Sequence, residues 1–276
     1  MPAPNTITPD KLARLIGTRA CPLLLDIRSL RGTGFVPASL PRDLAALTDG
    51  AMAPTGRSAI VIDDTGGPDA HGAAAILRAQ GCDAEVLEGG FQGWCAAGNP
   101  VLKADHLSPR QTQGGTLWVT RARPKVDRIA CPWLIRRFVD PEARFLFVPP
   151  AEVLPIAERF GAEPFDVEGE GVFWSHRGEC CTFDVMLEAF GLTSIAALVN
   201  LASIVRGADT DRLDIAAEAA GLLALSLGLS RLYADDLEQL EAGMLVYDAL
   251  YRWARDARAE THNWASHTPS RNKVSA

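Results

Sequence analysis

The chain has 276 residues, 47% of them apolar and 22% charged, a globular composition long enough for two domains. Its formal net charge of −7 argues against broad attraction to nucleic acid or to an anionic membrane, leaving only a local basic patch open. No apolar run is long enough to span a bilayer, the first residues lack a basic and apolar signal region, and the six cysteines are scattered. A reducing cytoplasm is the expected setting, with no membrane span and no disulfide framework.

In chain order, Thr8 followed by Pro9 predicts a capped helix through Leu15. Residues 23–27 and 59–62 are continuous apolar runs, as expected of strands buried on both faces of a parallel sheet. Residues 73–80 predict a helix closed by Gly81, 84–87 a third strand, and 91–97 a short helix closed by Gly98. This alternation implies an α/β domain with a parallel sheet over residues 1–102. The polar stretch 103–115, with its Pro and Gly, is the expected linker.

The strings LLDIR (24–28), GFVPASL (34–40) and above all EGGFQGW (88–94) give this half a resemblance to the rhodanese family. In that family a loop after the central strand wraps a cysteine thiolate in backbone N–H groups, and the thiolate carries sulfane sulfur. Here the loop begins Asp63-Asp64-Thr65-Gly66-Gly67-Pro68-Asp69. Asp64 stands at the nucleophile position, Gly67 keeps the loop glycine, and Asp69 stands where an arginine is common. A carboxylate cannot carry sulfane sulfur, and three aspartates repel thiosulfate. The expectation is an inactive sulfurtransferase module, the loop being either a retired site or an altered ion pocket.

From residue 116 the pattern changes to an α+β, mostly helical domain extending to about 260. A strand is expected at 116–120. The next helix starts either at Pro132 with Cys131 as its cap, or near Asp127 with a kink at Pro132. Strands are expected at 145–148, 165–167 and 172–175, with a helix at 151–160 between the first two. Four further helices follow, at 182–190, around 195–205, at 215–227 and after Asp235-Asp236, and residues 261–276 are expected to fray.

The strings RPKVDRIACPWLIRRFVD (123–140), SHRGECCTFD (175–184) and IVRGAD (204–209) give residues 116–257 a resemblance to the ChrB C-terminal family. That resemblance implies a role in resisting or sensing chromate. Chromate is a tetrahedral dianion, so a site for it needs cations and N–H donors. Lys125 and Arg128 flank a strand-to-helix junction suited to anions. Cys131 sits near the start of that helix, where its pKa would fall, and Arg136 and Arg137 follow. The alternative is that these cations only pair with Asp127, Asp140 and other carboxylates.

His176, Cys180, Cys181 and Asp184 form a second group of mixed softness that could ligate a metal, or else a structural histidine beside a core cysteine. Asp209 and Asp235 more commonly cap helices. The alternative is that Asp127, His176, Asp209 and Asp235 or Asp236 converge on one divalent transition metal, the one cofactor the sequence suggests. Asp248, between Tyr247 and Tyr251, needs a partner, with Lys125 or Arg128 available. The favoured function is a chromate-stress accessory protein that binds a small oxyanion or a metal ion. A metal- or thiol-dependent redox enzyme and a chromate-responsive regulator are the alternatives, although no helix-turn-helix with a basic recognition helix is evident. Protein partners and homo-oligomerisation stay open.

Overall fold

The computed structural model describes residues 5–29, 32, 34–48, 58–111 and 114–260; the tail expected to fray, 261–276, lies outside them. The first half runs β1 (Thr6–Ile7), α1 (Pro9–Leu15), β2 (Leu23–Asp26), β3 (Ser39–Pro41), α2 (Leu44–Thr48), β4 (Ala59–Ile62), α3 (Pro68–Ala79), β5 (Ala84–Leu87) and α4 (Gly90–Ala96). Its five strands pair in parallel in the order β1-β5-β4-β2-β3. Leu24, Leu25, Ile60, Val61 and Ile62 are buried, which explains the uninterrupted apolar runs. Thr8 caps α1 through the Lys11 N–H. α3 starts at Pro68, earlier than 73, because Pro68 fits a first helical turn and Ala70, Ala73, Ala74 and Leu77 form its buried stripe.

The second half runs β6 (Leu117–Arg121), α5 (Asp127–Leu134), β7 (Arg144–Val148), α6 (Val153–Phe160), β8 (Glu163–Pro164), α7 (Thr182–Ala189), α8 (Ala196–Asp209), α9 (Ala219–Leu232) and α10 (Asp236–Asp256). Its sheet is parallel in the order β7-β6-β8. The central strand therefore comes first in sequence, and the chain crosses from one side of it to the other. In open parallel sheets that switch point, at the carboxyl end of the central strand, opens a crevice. Of the two helix starts read from sequence, the structure takes Asp127. α5 passes through Pro132 and widens into a π-type turn over Ile135–Val139, closed by the Asp140 N–H on the Ile135 carbonyl at 2.7 Å. The strands expected at 165–167 and 172–175 reduce to a single bridge between Phe165 and Trp174, because Asp166 turns the chain at a φ of +50°.

The two halves share one buried cluster that includes Leu12, Leu24, Trp118, Trp133, Phe138 and Tyr251. Gly17, at a φ of +79°, brings bare backbone against Phe138 and Tyr251. The Ala38 N–H bonds to the Phe138 carbonyl at 2.6 Å, and Arg42 pairs with Glu142 at 2.7 Å. Segment 103–111 is tied to the second half: the Lys103 N–H bonds to the Phe190 carbonyl, and Arg110 grips Asp140 and Glu142. Among the described residues no helix is long and apolar enough to cross a membrane.

Candidate metal centre

At the carboxyl end of β6 the chain passes through a constrained loop. Arg123 and Val126 have positive φ angles of 58° and 29°. Three side chains strap this loop down: Ser226 accepts the Val126 N–H at 2.9 Å, the Tyr247 hydroxyl donates to the Val126 carbonyl at 2.9 Å, and the Gln239 amide donates to the Pro124 carbonyl at 2.6 Å. The result fixes Asp127 in the first turn of α5, fully buried. Its Oδ2 accepts the Thr182 N–H at the start of α7 at 2.6 Å, while its Oδ1 is buried without a hydrogen-bond partner.

Three other side chains meet Asp127. Asp166 follows β8, His176 lies on the loop before α7, and Asp209 is the last residue of α8. His176 Nε2 lies 3.2 Å from Asp209 Oδ2, 3.4 Å from Asp166 Oδ1 and 3.6 Å from Asp127 Oδ2. Bonds of about 2.1 Å to a shared ion give ligand–ligand edges of about 3.0–3.4 Å in octahedral or tetrahedral coordination, so this spacing suits an ion in place of the imidazolium proton. Asp127, Asp166 and His176 offer ligand atoms that all lie within 4.8 Å of one another. Outer groups orient the carboxylates as a metal site requires. Asp166 Oδ2 is held by Arg121 at 3.1 Å and Arg128 at 3.2 Å, which leaves Oδ1 facing His176 with Thr182 Oγ1 donating to it. Asp209 at a helix C-terminus works against the helix dipole, an arrangement that a cationic neighbour offsets.

The electrostatics follow from this crowding. Burial, and then the charges of Asp209 and Asp166, push the Asp127 carboxyl well above the usual carboxylate range. His176 rises to about 10 because Asp166 and Asp209 accept hydrogen bonds from it, against the opposing effect of burial. Burial also raises Asp166, but His176, Arg121 and Arg128 outweigh it and hold that carboxyl low. His176 is 41% exposed, so the site has one open side.

The remaining sequence-predicted residues divide clearly. Asp127, His176 and Asp209 come together as expected. Asp235 does not join them: it caps α10, accepting the Leu237 and Glu238 N–H groups, because it lies just ahead of the helix. Asp236 is engaged by Arg123. Cys181 is buried beside the cluster, with its thiol 3.3 Å from Asp184, and burial followed by Asp127 pushes its pKa up. Cys131 lies in the second turn of α5, and burial and Asp127 raise its pKa where a helix start was expected to lower it. Neither thiol is suited to be a thiolate.

The oxyanion set does not assemble around one ligand. Arg128 serves Asp166 and the Arg121 and Ala122 carbonyls, and Arg136 pairs with Glu241 and stacks on Phe145. Lys125 is exposed, on a separate cleft of about 550 Å³ with Arg123 and Arg231. Asp248 pairs with Arg137 at 2.8 Å and accepts the Trp133 indole N–H at 2.9 Å, so neither Lys125 nor Arg128 is its partner. In the first half, Asp64 and Asp69 are exposed and Gly67 caps α3. The residues missed by sequence reasoning are Asp166, Arg121 and Thr182. Asp166 carried a signal: a carboxylate between Phe165 and Val167 in an apolar run needs a cationic partner.

Comparison with known proteins assigns the second half. Among solved structures, the chain is similar to a rhodanese-related protein from Thermoplasma volcanium, at 23% identity over 36% of this chain and 97% of that one, with a TM-score of 0.32. It is also similar to a rhodanese homologue from the extremely thermophilic bacterium Thermus thermophilus, at 26% identity over 32% of this chain and 98% of that one, with a TM-score of 0.28. Protein ChrB of Cupriavidus metallidurans is 34% identical over 143 residues, which are 52% of this chain and 42% of that protein. The chain thus spans less than half the length of that relative. The family model described as ChrB, C-terminal domain, matches residues 118–254. The segment that carries Asp127, Asp166, His176 and Asp209 is therefore a ChrB C-terminal family domain.

Proposed function

We propose that the second half holds a divalent metal ion on Asp127, Asp166 and His176, with the Asp209 carboxylate beside them, and that the chain acts in chromate stress by presenting the open side of that ion to a small oxyanion. The observation that carries this reading is the geometry around His176 Nε2, where three carboxylate oxygens stand at 3.2–3.6 Å while Asp127 Oδ1 is buried and unpaired. Three carboxylates and one imidazole favour a hard to borderline cation such as Mn(II) or Fe(II) over a thiophilic one.

Charge counting supports the oxyanion. With all three carboxylates ionised, as metal binding requires, they balance the guanidinium groups of Arg121 and Arg128 and the imidazolium of His176. Replacing the imidazolium proton with a divalent ion leaves one excess positive charge, reachable from the exposed side of His176. A tetrahedral dianion such as chromate or sulfate would complete the coordination there. The rhodanese-like half, whose loop lacks a cysteine, serves as a non-catalytic partner domain in this reading.

Elemental analysis of the purified chain, followed by Mn(II) titration of the metal-free protein with His176→Ala alongside, tests the centre. Chromate and sulfate titrations with and without metal test the anion. Metal binding lost in His176→Ala, with anion binding only to the loaded protein, is the expected result. Failure of the metal-free chain to bind any divalent ion removes the proposal.

A further inference from the structure

α9 is apolar on nearly every side. Between Ala219 and Leu232 its polar side chains are Ser226, Ser230 and Arg231, and both serines lie on the buried face with Ala219 and Leu222. The leucines point the other way: Leu225 is 53% exposed, Leu227 45% and Leu232 73%. A surface helix turns its leucines inward and its polar residues out, and a helix that is apolar all round is covered on all sides. Single exposed leucines are ordinary, but three within two turns form a patch of the kind that marks a contact surface.

Gly221 and Gly228 are exposed on the same helix, two turns apart. A Cβ built at either meets nothing within 4 Å, so no contact among the described residues requires a glycine there. Glycine weakens a helix interior relative to alanine. What it offers in return is bare backbone that a neighbouring helix can approach closely.

The two ends of α9 carry opposite charge. Asp211, Asp214 and Glu218 lie ahead of it. At its far end the exposed Arg231 lines, with Arg123 and Lys125, the cleft of about 550 Å³ that also takes in Leu227 and Gly228. Among the described residues Arg231, Lys125, Asp211, Asp214 and Glu218 form no ion pair.

We propose that α9 is a self-association surface, on which two copies of this chain pair their α9 helices antiparallel about a two-fold axis. Such a contact uses one patch twice. Turning one helix end for end sets the acidic flank of each copy against the basic cleft of the other, whereas a parallel pairing sets like against like. This self-complementarity favours a second copy over an anionic bilayer, which would repel the acidic flank. The outer half of a helix about 21 Å long and about 11 Å across offers only about 350 Å². That is below the ~800 Å² per partner of a standard interface, so the pairing is weak and depends on concentration. The face carries none of the candidate metal ligands and is tested apart from them.

The test is sedimentation velocity of the full chain from low to several hundred micromolar. The expected result is a monomer–dimer equilibrium. Leu225→Gln with Leu232→Gln should shift it at least tenfold toward monomer with little change in melting temperature. Arg231→Glu should weaken it, as should Asp214→Lys with Glu218→Lys, and mixing these two variants should give a heterodimer tighter than either homodimer. A chain that stays monomeric throughout the range overturns the proposal, as does a dimer indifferent to the leucine pair. A mixture that associates no better than its components removes the antiparallel pairing. A monomer that floats with anionic vesicles through Leu225 and Leu232 would assign the face to a lipid surface and overturn the proposal as well.

Discussion

The carboxylate of Asp127, in the first turn of α5, accepts the backbone N–H of Thr182, the first residue of α7, at 2.6 Å. Two helix N-termini therefore converge on one buried acid, and their dipoles favour its charge. Burial and the neighbouring Asp209 and Asp166 disfavour that same charge more strongly. An acid held under such strain is worth keeping for a cation. We expect Asp127→Asn to leave the metal-free melting temperature unchanged or higher, because it removes repulsion while preserving shape. It should weaken Mn(II) binding by at least about 100-fold, the upper end of what even an outer-shell change costs. Thermal melts with and without Mn(II) check both parts. An intact Mn(II) affinity in this variant would show that the carboxylate serves packing alone.

His176 supplies a pH dependence. Its folded-state pKa of about 10 lies above the ordinary histidine value of 6.5. A raised pKa means that the folded state holds the proton more tightly than the unfolded chain does. The associated stability is complete below pH about 6.5 and drains away as pH rises toward 10. Metal binding must displace that proton, so Mn(II) affinity should climb over the same interval. Imidazole C–H shifts followed by NMR in the metal-free protein should put the His176 midpoint far above neutrality. Calorimetry in buffers of different ionisation enthalpy should count at least one proton released per metal bound. A midpoint near 6.5 would mean that the carboxylates do not act on this histidine.

Sequence reading succeeded where a residue carries its own local signal. Thr8-Pro9 marked the start of α1, the apolar runs marked β2 and β4, and Asp235-Asp236 marked the start of α10. β1 and β3, at two and three residues, are too short for any periodicity to register, and only pairing with β5 and β2 makes them strands. Three of the four residues of the candidate metal centre were legible because each sat in a string with chemical content. Asp166 was not, since its role depends on a turn after β8 that apolar neighbours disguised as a strand. The expected fall in the Cys131 pKa failed for a related reason: the helix takes the other of the two starts the sequence left open, at Asp127, which puts Cys131 in its second turn amid packing no local pattern reveals.

The loop after β4 invites a test of the first half. Asp63 Oδ1 accepts the N–H groups of Thr65 at 3.1 Å and Gly66 at 2.5 Å, and Oδ2 accepts that of Gly67 at 2.9 Å. A set of N–H donors that could cradle an external anion is thus occupied by the chain's own carboxylate. A thiol placed at the neighbouring position would therefore find these donors already taken. We expect Asp64→Cys to stay at background in a thiosulfate:cyanide assay. Asp63→Ala should cost about 1–2 kcal/mol of stability by stripping these donors of their acceptor. Robust turnover by Asp64→Cys alone would mean that the loop opens to thiosulfate despite Asp63.

The junction between the halves gives a last expectation. A Cβ added at Gly17 would lie 2.3 Å from the Phe138 ring and 2.9 Å from that of Tyr251, and the residue already sits at a φ of +79°, which side-chain-bearing residues rarely adopt. Gly17→Ala therefore pays twice, in backbone strain and in displaced aromatics from a buried cluster, and should cost about 2–4 kcal/mol. The loss should appear in both halves together, because the cluster that Phe138 anchors extends from Leu12 and Leu24 to Trp133 and Tyr251 without a break. Denaturant unfolding monitored by tryptophan fluorescence and by far-UV circular dichroism is the appropriate measurement. Coincident transitions shifted to lower denaturant fit a shared core. A variant in which one half melts early while the other keeps its original midpoint would mean that the two halves carry separate cores and touch without mutual support.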